Sequence, residues 1–570
     1  MMVKEGRTGL PVVKKIAAKM LLPMRFHTKI LPRMDLIIIN ADVRTMAPAR
    51  GAAPTALAVK GNRIAQVGQT RDIQPLATSK TRVIDAKGRL VLPGFNDAHV
   101  HFLDGGFSLS NVNLRDAATV EEFVRRIKAH ADTLPAGQWI VGGEWDHENW
   151  PGAPLPRKDM IDAVTPNHPV LVSRTDGHMA LANSLALKMA GVTKQTADVP
   201  GGFIVRDAKT GEPTGLLKDA AMQAVFAVMP ETSQDEKLRA ARLATNFAAS
   251  LGVTSAHDVL AGDAVHTYRA LAERGELKTR LYCLYPIARW QEAVKVHSRP
   301  NPTPHLVRTG AVKGFSDGSL GSATSWMFEP FLDDPKNCGL PGDQMFPEGA
   351  MLERVLGSDK AGLQVAMHAI GDRANFEILN MAAQVAQTNG PRDRRFRIEH
   401  AQHLRCSEIP RFGAERVIAS VQSYHAADDG RWCEPRLGPA RLKGTYAFRS
   451  LLDTGAILAL GTDWVVAPLD PMLTLDAAVN RRTLDGKNPG GWIPEQKITV
   501  EEAVRAYTVG SAFAEFAEND KGTIAPGKLA DIIMLDNNIF KEKPEDVGQA
   551  RVVLTVFDGK AVWSAKGAVD

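Results

Sequence analysis

The hydrophobic positions of this chain change rhythm twice. From Asp35 to about Leu92, short β-type runs (36–39, 56–59, 64–67, 83–84) are separated by turn signals such as Lys60-Gly-Asn-Arg63 and Ala86-Lys-Gly88. The same character returns near the other end, at 530–535, 552–557 and 561–563. The two ends therefore predict one small β domain, split around everything between them. In the middle, short apolar runs alternate with helical segments, the signature of parallel strands and crossover helices. Eight barrel strands are predicted, ending near Asn96, His257, Tyr285, Phe315, His368, His400, Gln422 and Asp463. The run Ile457–Leu460 is apolar throughout, as expected for a strand covered on both faces. The expected fold is α/β: a (β/α)8 TIM-type barrel over 93–519, with a long insertion at about 104–250 after the first strand. A β-sandwich-like domain is expected from 35–92 plus 520–570.

Composition narrows the function classes. With 570 residues, 44% hydrophobic and 23% charged, the chain has ordinary globular make-up and length for a large core. Its apolar runs are far shorter than the roughly 20 residues of a membrane span. The net charge of +5 sits at one end. The first 33 residues hold eight Lys/Arg and one Glu, and taking that +7 from +5 leaves −2 for the rest. A nearly neutral body excludes an electrostatic footprint for nucleic acid. Residues 1–34 are read as a disordered or mis-started basic leader, since they lack the apolar h-region and small-residue cleavage site of a secretory signal. Lys14, Lys15 and Lys19 among apolar neighbours also fit an amphipathic, membrane-touching helix. Cys283, Cys338, Cys406 and Cys433 form no CxxC pair and are expected to be reduced thiols of a cytoplasmic protein.

The strongest chemical signal is Leu92-Pro-Gly-Phe-Asn-Asp-Ala-His99-Val-His101. Histidines at i and i+2 lie on one face of a strand, so both imidazoles can enter one metal site. Further donors are expected at the ends of later strands, where barrel enzymes gather their active sites. His368 closes Leu363-Gln-Val-Ala-Met-His368, His400 closes Phe396-Arg-Ile-Glu-His400, and Asp463 closes Leu458-Ala-Leu-Gly-Thr-Asp463. A buried, hydrogen-bonded histidine is the commoner role for any one of these, but that reading fits the ordered set poorly.

These motifs resemble the amidohydrolase superfamily, in the family 3 branch that includes N-substituted formamide deformylase-like metal-dependent hydrolases. The resemblance runs from about Asp35 to Trp563. It also rests on Asp176-Gly-His178, Pro200-Gly-Gly-Phe-Ile204, Val312-Lys-Gly-Phe-Ser-Asp-Gly-Ser-Leu-Gly321, His368-Ala-Ile-Gly-Asp-Arg373, Arg397-Ile-Glu-His-Ala-Gln402, Gly461-Thr-Asp-Trp464 and Gly522-Thr-Ile-Ala-Pro-Gly-Lys-Leu-Ala-Asp531. It implies a binuclear site: His99, His101 and Asp463 on the more buried metal, His368 and His400 on the second. Lys313 aligns with a lysine that is carboxylated in many members and bridges the two; if unmodified, one metal is expected. Zinc is the default divalent ion for such donors, one or two per chain.

The resemblance implies hydrolysis of a C–N bond in an amide, N-substituted formamide, carbamate or cyclic amide by a metal-activated hydroxide. Asp463 is then general base and acid. His178, from the insertion, is the candidate to donate to the substrate oxygen or orient the substrate, a structural surface-loop histidine being the alternative. Esters, lactones, ring deamination and a non-catalytic ligand-binding homologue are the competing readings. Asp317, His425 and Trp145 are expected to contact substrate, the tryptophan with Trp150 and Trp464 as an apolar wall. For these, turn chemistry, second-layer hydrogen bonding and plain packing are the alternatives. The expected partner is a small-molecule substrate, with homo-oligomerisation left open.

Overall fold

The computed structural model describes residues 33–48 and 51–568. The basic leader expected over 1–34 lies outside the described residues except for its last two. Met34 already belongs to the fold, packing with Ile37, Ile39, Ala56 and Ile73.

Eight parallel strands follow one another in chain order around a nearly closed barrel: β1 (Phe95–Val100), β2 (Val253–Asp258), β3 (Arg280–Pro286), β4 (Val307–Phe315), β5 (Gln364–Ala369), β6 (Arg397–His400), β7 (Ile418–Val421) and β8 (Leu458–Leu460). β1 starts rather than ends beside Asn96, which carries His99 to the strand's C-terminal end. The seam between β8 and β1 is made just past β8, where Asp463 N donates to His99 O at 2.7 Å and Val100 bridges Trp464. Gly461 permits this approach, because a Cβ there would sit 2.6 Å from His99 N.

Period-2 alternation explains which side chains reach the barrel interior. Along β5, Val365 and Met367 join the main core, whereas Ala366 packs in a separate interior cluster with Tyr282, Leu284 and Ala311. His368 shares the face of Gln364 and Ala366. Along β6, Ile398 faces the main core and Arg397 spans the interior, donating to Ala98 O (2.7 Å) and Ser420 Oγ (3.1 Å). Continued alternation would turn His400 away from the interior. Positive φ at His400 (74°) and Ala401 (44°) instead swings its ring into the site.

The two chain ends build the smaller domain. One sheet contains Leu36–Ile39, Ala56–Lys60, Arg63–Gly68 and Arg82–Asp85. The other joins Asp42–Val43 and Leu90–Pro93 to Ile532–Leu535, Val552–Phe557 and Lys560–Ser564. Their shared core includes Ile38, Leu57, Val91, Ile532, Met534 and Val556.

After β1 comes a short helix, Phe102–Ser108, and then the insertion, whose six-stranded sheet runs from Val112–Asn113 to Pro213–Asp219. The helix Gln234–Ser250, started by a capping box between Ser233 and Glu236, packs into the barrel's core and so belongs to the barrel's outer ring. Polar clamps hold the insertion over the barrel mouth. Arg115 donates to the carbonyls of Val465 and, at 2.7 Å, Val466. Asp176 accepts from Ser319 (2.5 Å) and Ser322 (2.9 Å), and Asp146 pairs with Arg431 at 3.1 Å. No helix among the described residues is long and apolar enough to cross a membrane.

Candidate metal centre and substrate cavity

A cavity of about 960 Å³ opens between the insertion and the C-terminal ends of the barrel strands. Its floor carries His99, His101, Lys313, His368, His400, His425 and Asp463, and His178 reaches it from the insertion. Asp463 is the hub. His99 Nε2 lies 3.4 Å and His101 Nε2 3.3 Å from its Oδ1, while His400 Nδ1 and His425 Nε2 lie 4.0 and 3.8 Å from Oδ2. Asp463 itself has φ of 62°, a strained backbone for a non-glycine residue.

Among the described residues, two groups have the spacing to hold a metal ion: His99, His101 and Asp463, and His400, His425 and Asp463. Buried polar atoms are normally hydrogen-bonded, yet His400 Nδ1, His425 Nε2 and Asp463 Oδ1 are buried without a partner. On the other side, His99 Nδ1 sits 2.6 Å from Glu399 Oε2. A carboxylate can only accept there, so Nδ1 carries the proton and the Nε2 lone pair faces Asp463. Lone pairs converging on a buried point fit a cation, and orienting one imidazole nitrogen through a carboxylate is how metal-binding histidines are commonly held.

The electrostatics follow from burial and these partners. Burial, and next the charge of Lys313, pushes His99 down to about 4, and burial holds His400 well below the usual histidine range. Both rings are therefore neutral and able to donate a lone pair. Burial opposes ionisation of Asp463, but His99, His101 and His400 outweigh it and keep the carboxyl far below its usual range. Lys313, fully buried with its Nζ 4.4 Å from the Phe315 ring centre, is pushed down to about 8 by burial. Burial would also lower His178, but Asp219, then Asp176 and Asp317, raise it to about 9.

The amidohydrolase family model matches residues 82–563. The chain belongs to the amidohydrolase family. Protein LONG AFTER FAR-RED 3 of Arabidopsis thaliana is 38% identical over 544 residues, covering 93% of this chain and 91% of its own length. N-substituted formamide deformylase of Arthrobacter pascens is 26% identical over 559 residues, or 94% and 99% of the two chains. The crystal structure of a metal-dependent hydrolase from Pyrococcus horikoshii OT3 is similar with a TM-score of 0.71 at 26% identity, over 89% of this chain and 99% of that one. This amidohydrolase is accordingly a metal-dependent hydrolase on a TIM-type barrel.

Several expected site residues stand elsewhere or act differently in this amidohydrolase. Trp145 is not on a substrate wall: it is fully buried in the insertion's own core beside Phe123 and Trp150, its Nε1 donating to Val172 O at 2.8 Å. Trp464 packs on Phe102 and Phe247. The apolar part of the cavity comes instead from Phe107, Trp139, Phe226 and Trp432. Asp317 does not line the cavity; its carboxylate accepts the backbone N–H groups of Trp326, Ile370 and Gly371 and lies 3.3 Å from His368 Nε2. His425, expected to contact substrate, sits on the helix Ser423–Asp429 just after β7 and joins the second donor group. His368 is in neither group; its Nε2 donates to Gly318 O at 3.0 Å, and its ring lies 4.6 Å from that of His400. Glu399 and its brace Arg397 were missed as functional residues, although both stand in the motif Arg397-Ile-Glu-His400. Alternation points them inward, and that was the available signal.

Proposed function

We propose that this chain hydrolyses a C–N bond in a small amide, N-substituted formamide, carbamate or cyclic amide. The observation that carries the reading is the convergence of unpartnered buried donor atoms on Asp463 at the floor of a large, partly apolar cavity. The similarity to N-substituted formamide deformylase over nearly the whole chain directs it toward C–N bonds. His99 and His101 with Asp463 would hold one metal, and His400, with His425 or His368, a second. Lys313 reaches the same floor; a buried amine lowered to about 8 offers the neutral form that carboxylation needs. A divalent metal there, zinc by donor type, supplies Lewis acidity and lowers the pKa of water toward ~7.

The chain's own residues supply the rest. Asp463, ionised and facing the donor cluster, accepts the proton of the attacking water and passes it to the leaving nitrogen. His178 donates to the substrate oxygen as charge builds on it. Phe107, Trp139, Phe226 and Trp432 receive the apolar part of the substrate.

The test is a screen of matched amides, formamides, carbamates and esters on metal-reconstituted protein. Turnover confined to esters or lactones would overturn the C–N assignment. Asp463→Asn should leave the thermal melt in place and abolish turnover; wild-type kcat in that variant would remove Asp463 as the base.

A further inference from the structure

His178 enters the cavity from the turn before the insertion strand Met179–Ala182, and Asp219 ends the neighbouring strand Pro213–Asp219. The two residues are joined twice. Asp219 N donates to His178 O at 3.0 Å, and His178 Nδ1 stands 2.6 Å from Asp219 Oδ1. The carboxylate accepts the Nδ1 hydrogen bond and stabilises the doubly protonated ring, whose Nε2–H is the donor left free for another partner. Across the cavity the His178 ring lies 5.2 Å from that of His368.

The surroundings are shaped around this acid. Asp219 has φ of 48° and ψ of −124°, a backbone that L side chains rarely adopt, and its second oxygen, Oδ2, is buried with no hydrogen-bond partner. Strain and an unpaired buried acceptor each cost stability. From the barrel side, Gly318 leaves the space open: a Cβ there would lie 2.0 Å from Thr324 Oγ1 and 3.0 Å from Asp219 Oδ1. The carbonyl of the same Gly318 takes the hydrogen bond of His368. One loop after β4 thus touches both the barrel's histidine and the insertion's acid.

We infer that Asp219 is a positioning residue, which accepts the Nδ1–H of His178 and aims its Nε2–H at the scissile group, and that this pair is the insertion's own contribution to the reaction. The inference rests on the hydrolytic reading above, but not on which bond is cut. The insertion then completes the reacting constellation as well as shaping the cavity.

The experiment uses the metal-loaded full chain with matched amide and ester substrates. Asp219→Asn and His178→Gln are each expected to lower kcat by about 10²–10³-fold, the scale of losing one donor to a developing oxyanion, with KM changed far less. The double variant should be no slower than the slower single one, because both changes remove one function. Multiplying effects, or wild-type kcat in folded Asp219→Asn, would overturn the inference. If only the ester is turned over, the C–N reading fails while the pair is still tested. If neither is, proton NMR decides: a far-downfield Nδ1 proton should appear in the wild type and vanish in both variants. Its absence from the wild type would overturn the inference, and His178→Gln keeps the test open if Asp219→Asn fails to fold.

Discussion

Glu399 sets what His99 can do. Its carboxylate has no exposure, accepts the hydrogen bond of His99 Nδ1–H, and is held from below by Arg397, whose Nε lies 2.8 Å from Oε1. Removing a carboxylate that orients a metal-binding histidine typically costs 10–100-fold in metal affinity. Glu399→Gln, which keeps the volume, is therefore expected to weaken metal binding by about that factor in a chelator competition; unchanged affinity would deny Glu399 the orienting role. Lys313→Ala should lose metal and recover part of it with short carboxylic acids; full metal content without such additives would argue against a bridging carbamate. That His99, His101, His368, His400 and Asp463 share one cavity floor was legible, because spacing and strand ends are local properties of sequence; that His425 rather than His368 joins a donor group was not. Glu399 was not, since its partner lies 300 residues away and alternation gives a direction without naming what it meets. Trp145 was misplaced for a related reason: a large aromatic ring in the insertion suits a binding wall and that domain's core equally well.

At the scale of elements, the eight barrel strands were readable from alternating apolar runs and helical segments. The two backbone turns that finish the site were not. His400 and Asp463 take positive φ, which histidine and aspartate adopt more often than most residues but still rarely, so residue type alone does not announce it. Gly461 marks the seam more openly, as the residue without a side chain where β8 meets β1. Gly461→Ala would press a methyl group onto His99 N and Asp97 Oδ1, at 2.6 and 3.0 Å. The expected destabilisation is about 1–3 kcal/mol, the usual cost of overpacking, read as a lower urea midpoint with unchanged m-value. Metal content should fall with it, because the same contact spaces His99 from Asp463.

For the molecule as a whole, the question is how firmly the insertion is seated. Arg174 is buried between Asp146 and Asp176, 2.7 Å from each, and those acids reach the barrel loops through Arg431, Ser319 and Ser322. Arg174→Met removes the cation shared by two buried carboxylates, leaving Asp146 with Arg431 and Asp176 with two serines, and should cost about 3–5 kcal/mol, measurable by denaturant melts. Burial favours the protonated acids, yet Arg174 outweighs it and holds both below the usual carboxylate range. The folded state thus binds fewer protons, so this stabilisation is full above the unfolded value of 3.8 and fades as pH falls below it. Melts from pH 7 to pH 3 should show that loss in the wild type and a shallower one in Arg174→Met. The seam has a consequence for assembly. Asp97 and Thr462, which hydrogen-bond across it, are 365 residues apart, and the first two histidines meet Asp463 only when the ring shuts. A chain ending before Asp463 keeps the His99-Val-His101 pair but lacks the carboxylate that completes the triad. Tight retention of an ion would then report that synthesis and folding have reached the last strand, so metal content serves as an assay of a finished barrel.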